Sequence, residues 1–125
     1  MIFGIGTDIV SVERMRSNIE KYGPRFAQRI LTDDEMADYN KVVNQANFLA
    51  KRFAAKEAAV KAMGTGFING VSLHHISIGH TELGKPVLNF AGIAAEFIKS
   101  ENIRSSHVSL ADEYEYAVAF VTLSL

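Results

Sequence analysis

The sequence contains no cysteine. That excludes a disulfide framework, a thiolate metal site and a cysteine nucleophile, and it is compatible with a reducing compartment. No apolar run approaches the roughly 20 residues of a membrane span. The start, Met1-Ile2-Phe3-Gly4-Ile5-Gly6, has no basic stretch and does not read as a signal peptide, so a cytoplasmic location is expected. A basic excess is missing too. Thirteen Lys and Arg against 14 Asp and Glu give a formal net charge of -1, which removes the simplest argument for a nucleic-acid partner. No internal repeat, low-complexity tract or linker is visible. The 125 residues, 48% of them hydrophobic and 22% charged, are enough for one compact domain spanning 1–125 and too few for two.

The charge that is present is unevenly placed. Ten of the 13 basic residues lie between Arg14 and Lys61, and the segment 33–38 is acidic. Basic surface beside an acidic stretch suits contact with an anionic partner, although a solvated helical face would look the same.

Residues 1–10 read as a Gly-interrupted strand. Ser11 can cap a helix through about Lys21. Gly23-Pro24 then punctuates, and Pro24 opens a second short helix ending near Leu31. Thr32 and Glu35 have capping-box spacing ahead of a helix to about Lys41. The strongest helix is expected from about Gln45 to Met63, stopping at Gly64. Val71–Ile78 alternates like a strand, Val87–Phe90 is a second strand, and Ala91–Glu101 is an Ala-rich helix. His107–Ala111 and Tyr116–Leu125 read as strands joined by the acidic turn Asp112-Glu113-Tyr114. Early helices and late strands predict an α+β fold with a mostly antiparallel sheet.

Two carboxylates stand out. Asp8 ends an apolar strand on the face shared with Gly4, Gly6 and Val10, where a charge is costly unless paired, bonded or metal-bound. A plain helix cap is the alternative. Glu57 lies on the 45–63 helix beside Ala50, Phe53, Ala54 and Val60, on the face expected to pack, with Lys61 one turn on. An ordinary i,i+4 surface pair is the alternative there. Together the two carboxylates offer hard oxygen ligands, and Lys61 and Arg52 offer nearby cations. That set suits magnesium bridging a diphosphate better than an all-protein metal cage.

Other motifs are weak. His74 and His75 are adjacent and, on a strand, point to opposite faces. There is no His-Glu-x-x-His. His107, at a strand start, could reach a phosphate or ribose, but position alone favours a structural role. Gly79-His80-Thr81-Glu82-Leu83-Gly84-Lys85-Pro86 falls short of a phosphate-binding P-loop. Pro86 stands where a metal-binding hydroxyl belongs, and a strand follows instead of a helix. Neither Gly-x-Gly-x-x-Gly nor Gly-x-Ser-x-Gly occurs.

Gly6-Thr7-Asp8-Ile9-Val10 followed by Glu13-Arg14 resembles the N-terminal signature of holo-acyl-carrier-protein synthases. Phe26, Arg29-Ile30-Leu31-Thr32 and Glu35 are similar to the next stretch of that family. Arg52-Phe53-Ala54-Ala55-Lys56-Glu57-Ala58, with Lys61 and Gly64-Thr65-Gly66, resembles its central motif. Gly84-Lys85-Pro86 and His107-Val108-Ser109 fit later blocks. The resemblance runs through the whole chain in order. One departure is Ala111-Asp112, where the family often carries Ser-His or Thr-His.

The resemblance implies transfer of the 4'-phosphopantetheine arm of coenzyme A to a serine of apo-acyl carrier protein, releasing 3',5'-ADP. It implies that Asp8 and Glu57 hold magnesium and that Lys61 stands near the diphosphate. Arg52 and His107 would contact the nucleotide phosphates, and Lys85, Pro86 and Ser109 would surround the adenosine. Arg14 would face the acidic carrier protein, with Arg25 or Arg29 extending that surface. The nucleophile belongs to the partner, so none is needed in this chain. The resemblance also implies a homotrimer with sites between subunits, and it leaves open whether the carrier serves fatty-acid synthesis or a secondary pathway. A magnesium-dependent nucleotide phosphohydrolase and a non-catalytic binding module are the rival readings, and neither explains the ordered run of motifs.

Overall fold

A computed structural model describes residues Met1–Leu125. Strand β1 (Ile2–Ser11) leads directly into helix α1 (Val12–Tyr22), where the Ser11 hydroxyl accepts from the Arg14 N–H at 3.2 Å. Gly23, at φ 68, ends α1, and Pro24 opens α2 (Pro24–Ile30). Thr32 and Glu35 form the expected capping box at the start of α3 (Asp33–Tyr39). That helix stops two residues short of the Lys41 expected, because the Lys41 N–H bonds to the Asp38 carbonyl three residues back and leaves the α ladder. Helix α4 (Gln45–Met63) has the predicted bounds and ends on left-handed Gly64, φ 78.

A 3-10 turn (Leu73–His75) then leads to β2 (Ile76–His80), β3 (Pro86–Phe90), α5 (Gly92–Ser100), β4 (Ser105–Asp112) and β5 (Tyr116–Ser124). The strand expected over Val71–Ile78 therefore begins only at Ile76. Local side-chain bonds compete with the ladder there: the Ser72 hydroxyl accepts from the His74 N–H, and His75 Nδ1 accepts from the Ser72 N–H. His74 and His75 accordingly do not lie on opposite faces of a strand.

The class is α+β with antiparallel pairing throughout, but in two sheets rather than one. Three strands are ordered β1-β5-β4, and β2 and β3 form a separate hairpin. Helix α4 lies across the larger sheet and is core on nearly every side, with 13 of its 19 residues buried. Its alanines make this possible. Ala54, Ala55, Ala58, Ala59 and Ala62 are all buried, and β1 lies almost on the helix backbone. A Cβ on Gly4 would fall 2.0 Å from the Ala62 carbonyl oxygen, and one on Gly6 would fall 1.9 Å from that of Ala58. Two residues further along the same strand face comes Asp8.

Candidate functional site

The close approach of β1 to α4 brings the two carboxylates together. Asp8 and Glu57 line one cavity of about 200 Å³, with Arg14, Met15 and Phe53 in the same wall. Glu57 does not project into the packed face of α4, as the sequence suggests. It belongs with Phe53 and Lys61 to a strip of the helix that stays partly open, while Ala50, Ala54 and Val60 are buried. The alternative reading, a Glu57–Lys61 surface pair, does not form. Lys61 instead reaches across to β1, donating to Asp8 Oδ1 and to the Thr7 carbonyl, both at 3.0 Å. Burial first, and then the charge of Asp8, push the Glu57 carboxyl above its ordinary range, with Lys61 pulling the other way.

This donor set fits magnesium. Two hard carboxylates face one cavity, and the charge of Asp8 adds to burial in raising the Glu57 pKa. No cluster of three or more His, Cys, Asp or Glu surrounds them. A cation here would take its remaining ligands from water and substrate, which is the usual preference of magnesium.

A second cavity, of about 450 Å³, gathers Arg52, Lys85, Pro86 and Ser109, together with Lys51, His80 and Asp112. Arg52 thus lines a different opening from the Asp8–Glu57 cavity, and the two cations grouped in the sequence, Arg52 and Lys61, part company, since Lys61 is bonded to Asp8. Burial, then Arg52, then Lys51 hold the His80 imidazole below its ordinary range, toward the neutral form. Sequence reasoning had passed over Lys51 and His80. Their only signal was proximity to Arg52 and to the Gly84-Lys85-Pro86 turn. His107 lies on the exposed side of β4, two residues from Ser109, and lines neither cavity.

Two of the four basic residues of α4 are interior. Arg52 is 5% exposed and Lys56 0%. Lys56 Nζ donates to Glu35 Oε1 at 2.6 Å, to the Ile30 carbonyl at 2.7 Å and to the Leu73 carbonyl at 3.1 Å, so each of its three N–H groups has an acceptor. Burial pulls this ammonium below its ordinary range, and Glu35 pulls it back up. The capping-box spacing pointed to Glu35 without revealing that its second oxygen reaches β2, accepting from the Ile78 N–H at 3.0 Å.

Of the residues expected to meet a protein partner, Arg14 lies at the mouth of the Asp8–Glu57 cavity. Arg25 and Arg29 sit one turn apart on α2, both exposed, and line neither cavity.

Residues 4–121 match the model of the 4'-phosphopantetheinyl transferase superfamily. A holo-acyl-carrier-protein synthase from Nitrosococcus oceani is 54% identical over 123 residues, covering 98% of this chain and 80% of its own. The crystal structure of the synthase from Neisseria meningitidis superimposes with a TM-score of 0.95 at 42% identity, with full coverage (100%) of both chains. That of the Bacillus anthracis synthase, solved in complex with CoA (3',5'-ADP), gives a TM-score of 0.82 at 36% identity, covering 100% of this chain and 99% of its own.

Proposed function

The chain belongs to the 4'-phosphopantetheinyl transferase superfamily as a holo-acyl-carrier-protein synthase, and from that premise we propose the following reaction. It transfers the 4'-phosphopantetheine group of coenzyme A to a serine of apo-acyl carrier protein, with magnesium, and releases 3',5'-ADP. The observation that carries the reading is the meeting of Asp8 and Glu57 at one cavity, with Lys61 bonded to Asp8.

The serine oxygen attacks the β-phosphorus of coenzyme A, and the bond from that phosphorus to the bridging oxygen breaks, leaving 3',5'-ADP. Magnesium held by Asp8 and Glu57 would offset charge on the diphosphate and on the leaving group. Lys61, already aimed at Asp8, supplies a further cation beside the diphosphate. The serine proton needs an acceptor. Glu57, directly or through a metal-bound water, is the candidate for that role. Arg52, Lys85, Pro86 and Ser109 share a cavity suited to the nucleotide end of coenzyme A, and the basic lining of Arg52, Lys51 and Lys85 favours its phosphates. Arg14, at the mouth of the carboxylate cavity, would meet the acidic carrier protein, with Arg25 and Arg29 as an outer extension.

The reading includes a homotrimer and the cytoplasmic location expected from the sequence. One face of the three-stranded sheet supports the assembly. Ile5 and Ile9 on β1 and Tyr116, Val118 and Phe120 on β5 are all exposed, while the alternate residues Ala117, Ala119, Val121 and Leu123 are fully buried against α4. An apolar sheet face of this kind asks for a cover. His107 shares that face, in register with Thr122 and Ile5. A neighbouring subunit seated there would bring His107 to a shared site and would join one subunit's Asp8, Glu57 and Lys61 to the other's Lys85 and Pro86.

Mass spectrometry of apo-carrier protein after incubation with coenzyme A and magnesium tests the reaction. A mass gain of one phosphopantetheine is expected, and no gain overturns the reading. Rapid release of 3',5'-ADP without carrier protein would favour a phosphohydrolase instead.

A further inference from the structure

Arg52 is a buried cation with an unfinished set of bonds. Its Nε has no hydrogen-bond partner in the chain. A planar guanidinium can be held from below and from one edge while its remaining N–H groups stay free for an anion. Both restraints are present. The Phe48 ring lies under the guanidinium, 4.4 Å from ring centroid to Cζ, and Glu35 Oε2 stands 3.7 Å from Nε. That separation is within ion-pair range but too long for a hydrogen bond.

Glu35 is itself fixed. It is 2% exposed. Oε1 accepts from the Thr32 N–H at 3.0 Å and from Lys56 Nζ at 2.6 Å, and Oε2 accepts from the Ile78 N–H at 3.0 Å. Donors from α3, α4 and β2 therefore lock the carboxylate plane, and the unfilled capacity of Oε2 is what Arg52 faces. Lys56 cannot compete for an external anion, because its three donors are used. One carboxylate and two cations leave a single positive charge in excess, on the member that lines the cavity with Lys85 and Ser109.

We propose that Glu35 is a positioning residue: it holds the edge of the Arg52 guanidinium so that the free N–H groups meet a phosphate of the nucleotide end of coenzyme A. Lys56 neutralises Glu35 so that this anchor does not cancel the field that attracts the phosphate. The proposal rests on the assignment of the Arg52 cavity to that nucleotide.

The test is calorimetric binding of 3',5'-ADP to the full-length protein, with steady-state kinetics beside it. Arg52→Gln should weaken 3',5'-ADP binding about tenfold or more, the loss of one or two charge-assisted hydrogen bonds. Should Arg52→Gln bind as tightly as the parent, the cavity assignment is wrong and the proposal goes with it. Glu35→Gln should weaken 3',5'-ADP comparably and raise the KM for coenzyme A, with the KM for carrier protein unchanged. Because Glu35→Gln strands the Lys56 ammonium, the paired variant Glu35→Leu/Lys56→Met is made as well. An apolar pair of similar volume is often tolerated in place of a buried ion pair. Folded variants are confirmed by their melting transitions. On the Arg52→Gln background, the Glu35 change should cost nothing further in 3',5'-ADP affinity. Equal losses with and without Arg52, or parent affinity in the folded double variant, would reduce Glu35 to a structural role and overturn the positioning proposal.

Discussion

Lys61 Nζ lies 3.0 Å from Asp8 Oδ1, a residue 53 positions away in the chain, and forms no ion pair with Glu57 one helical turn before it. The contact joins β1 to α4 beside Asp8, one of the two carboxylates that line the cavity. It leaves Glu57 without a direct cationic partner, with burial and then Asp8 raising its proton affinity. Lys61→Met should therefore leave the fold intact, since the side chain is half exposed (52%). Its kcat/KM should fall about tenfold or more, the worth of a charge-assisted contact to the diphosphate. Parent kinetics in a folded Lys61→Met protein would remove Lys61 from the reaction.

Glu57 predicts a trade of stability against function. Its folded pKa is raised above 4.5, so the native state keeps a proton that the unfolded chain has lost. The sign follows: stability is full below the ordinary glutamate range and is lost as pH rises through the folded pKa. In a chelating buffer the parent protein should melt progressively lower as pH rises from about 4.5 toward neutrality. Glu57→Gln should lack that slope, melt higher than the parent near neutral pH, and transfer no phosphopantetheine. Magnesium should raise the melting temperature of the parent and not of the variant. A parallel pH slope in both proteins would show that Glu57 does not carry the repulsion.

Gly6 governs how close β1 comes to α4. A methyl at this position would meet the Ala58 carbonyl oxygen at 1.9 Å, and neither backbone can yield cheaply. Gly6→Ala is expected to destabilise the protein by about 1–3 kcal/mol or more, in the range of core overpacking. Because Asp8 lies two residues along the same face, activity should fall beyond what the fraction unfolded explains. Denaturant melts and rates measured on one sample separate the two effects. A loss of activity that merely tracks unfolding would mean that the strand does not set the Asp8–Glu57 distance.

The outward face of β1 and β5 makes a prediction about assembly. Phe120 is 43% exposed between Thr7 and Ser109, in the middle strand of the sheet. The parent is expected to sediment as a trimer, and Phe120→Asp, which should leave the core untouched because Phe120 points away from α4, as a monomer. Within a trimer whose sites span subunits, mixing Glu57→Gln with variants of the Pro86 turn should restore part of the activity. No recovery in confirmed mixed trimers would place the whole site in one subunit.

Much of this protein is written locally. Ser11, the Gly23-Pro24 break, the Thr32–Glu35 box and Gly64 each act within about one turn of chain, and the helices start and stop where those residues say. The stretch 71–75 misled because its alternation was real, but the bonds between Ser72 and the His74 and His75 positions bent the chain before a ladder could form. Asp8 and Glu57 were legible as carboxylates on mainly apolar elements, and the order of the motifs named the family. What the sequence could not reveal is which way the cations turn. Lys56 and Arg52 look like solvent-facing neighbours of Lys61 in the run Arg52–Lys61, yet a glutamate 17 positions before Arg52 draws both inward, while Lys61 crosses to β1. Burial and long-range partners decide the role of a charge, and both are properties of the packed chain: residue order sets which charges exist, and only the approach of β1, α3 and β2 to α4 sets which of them remain free to meet a phosphate.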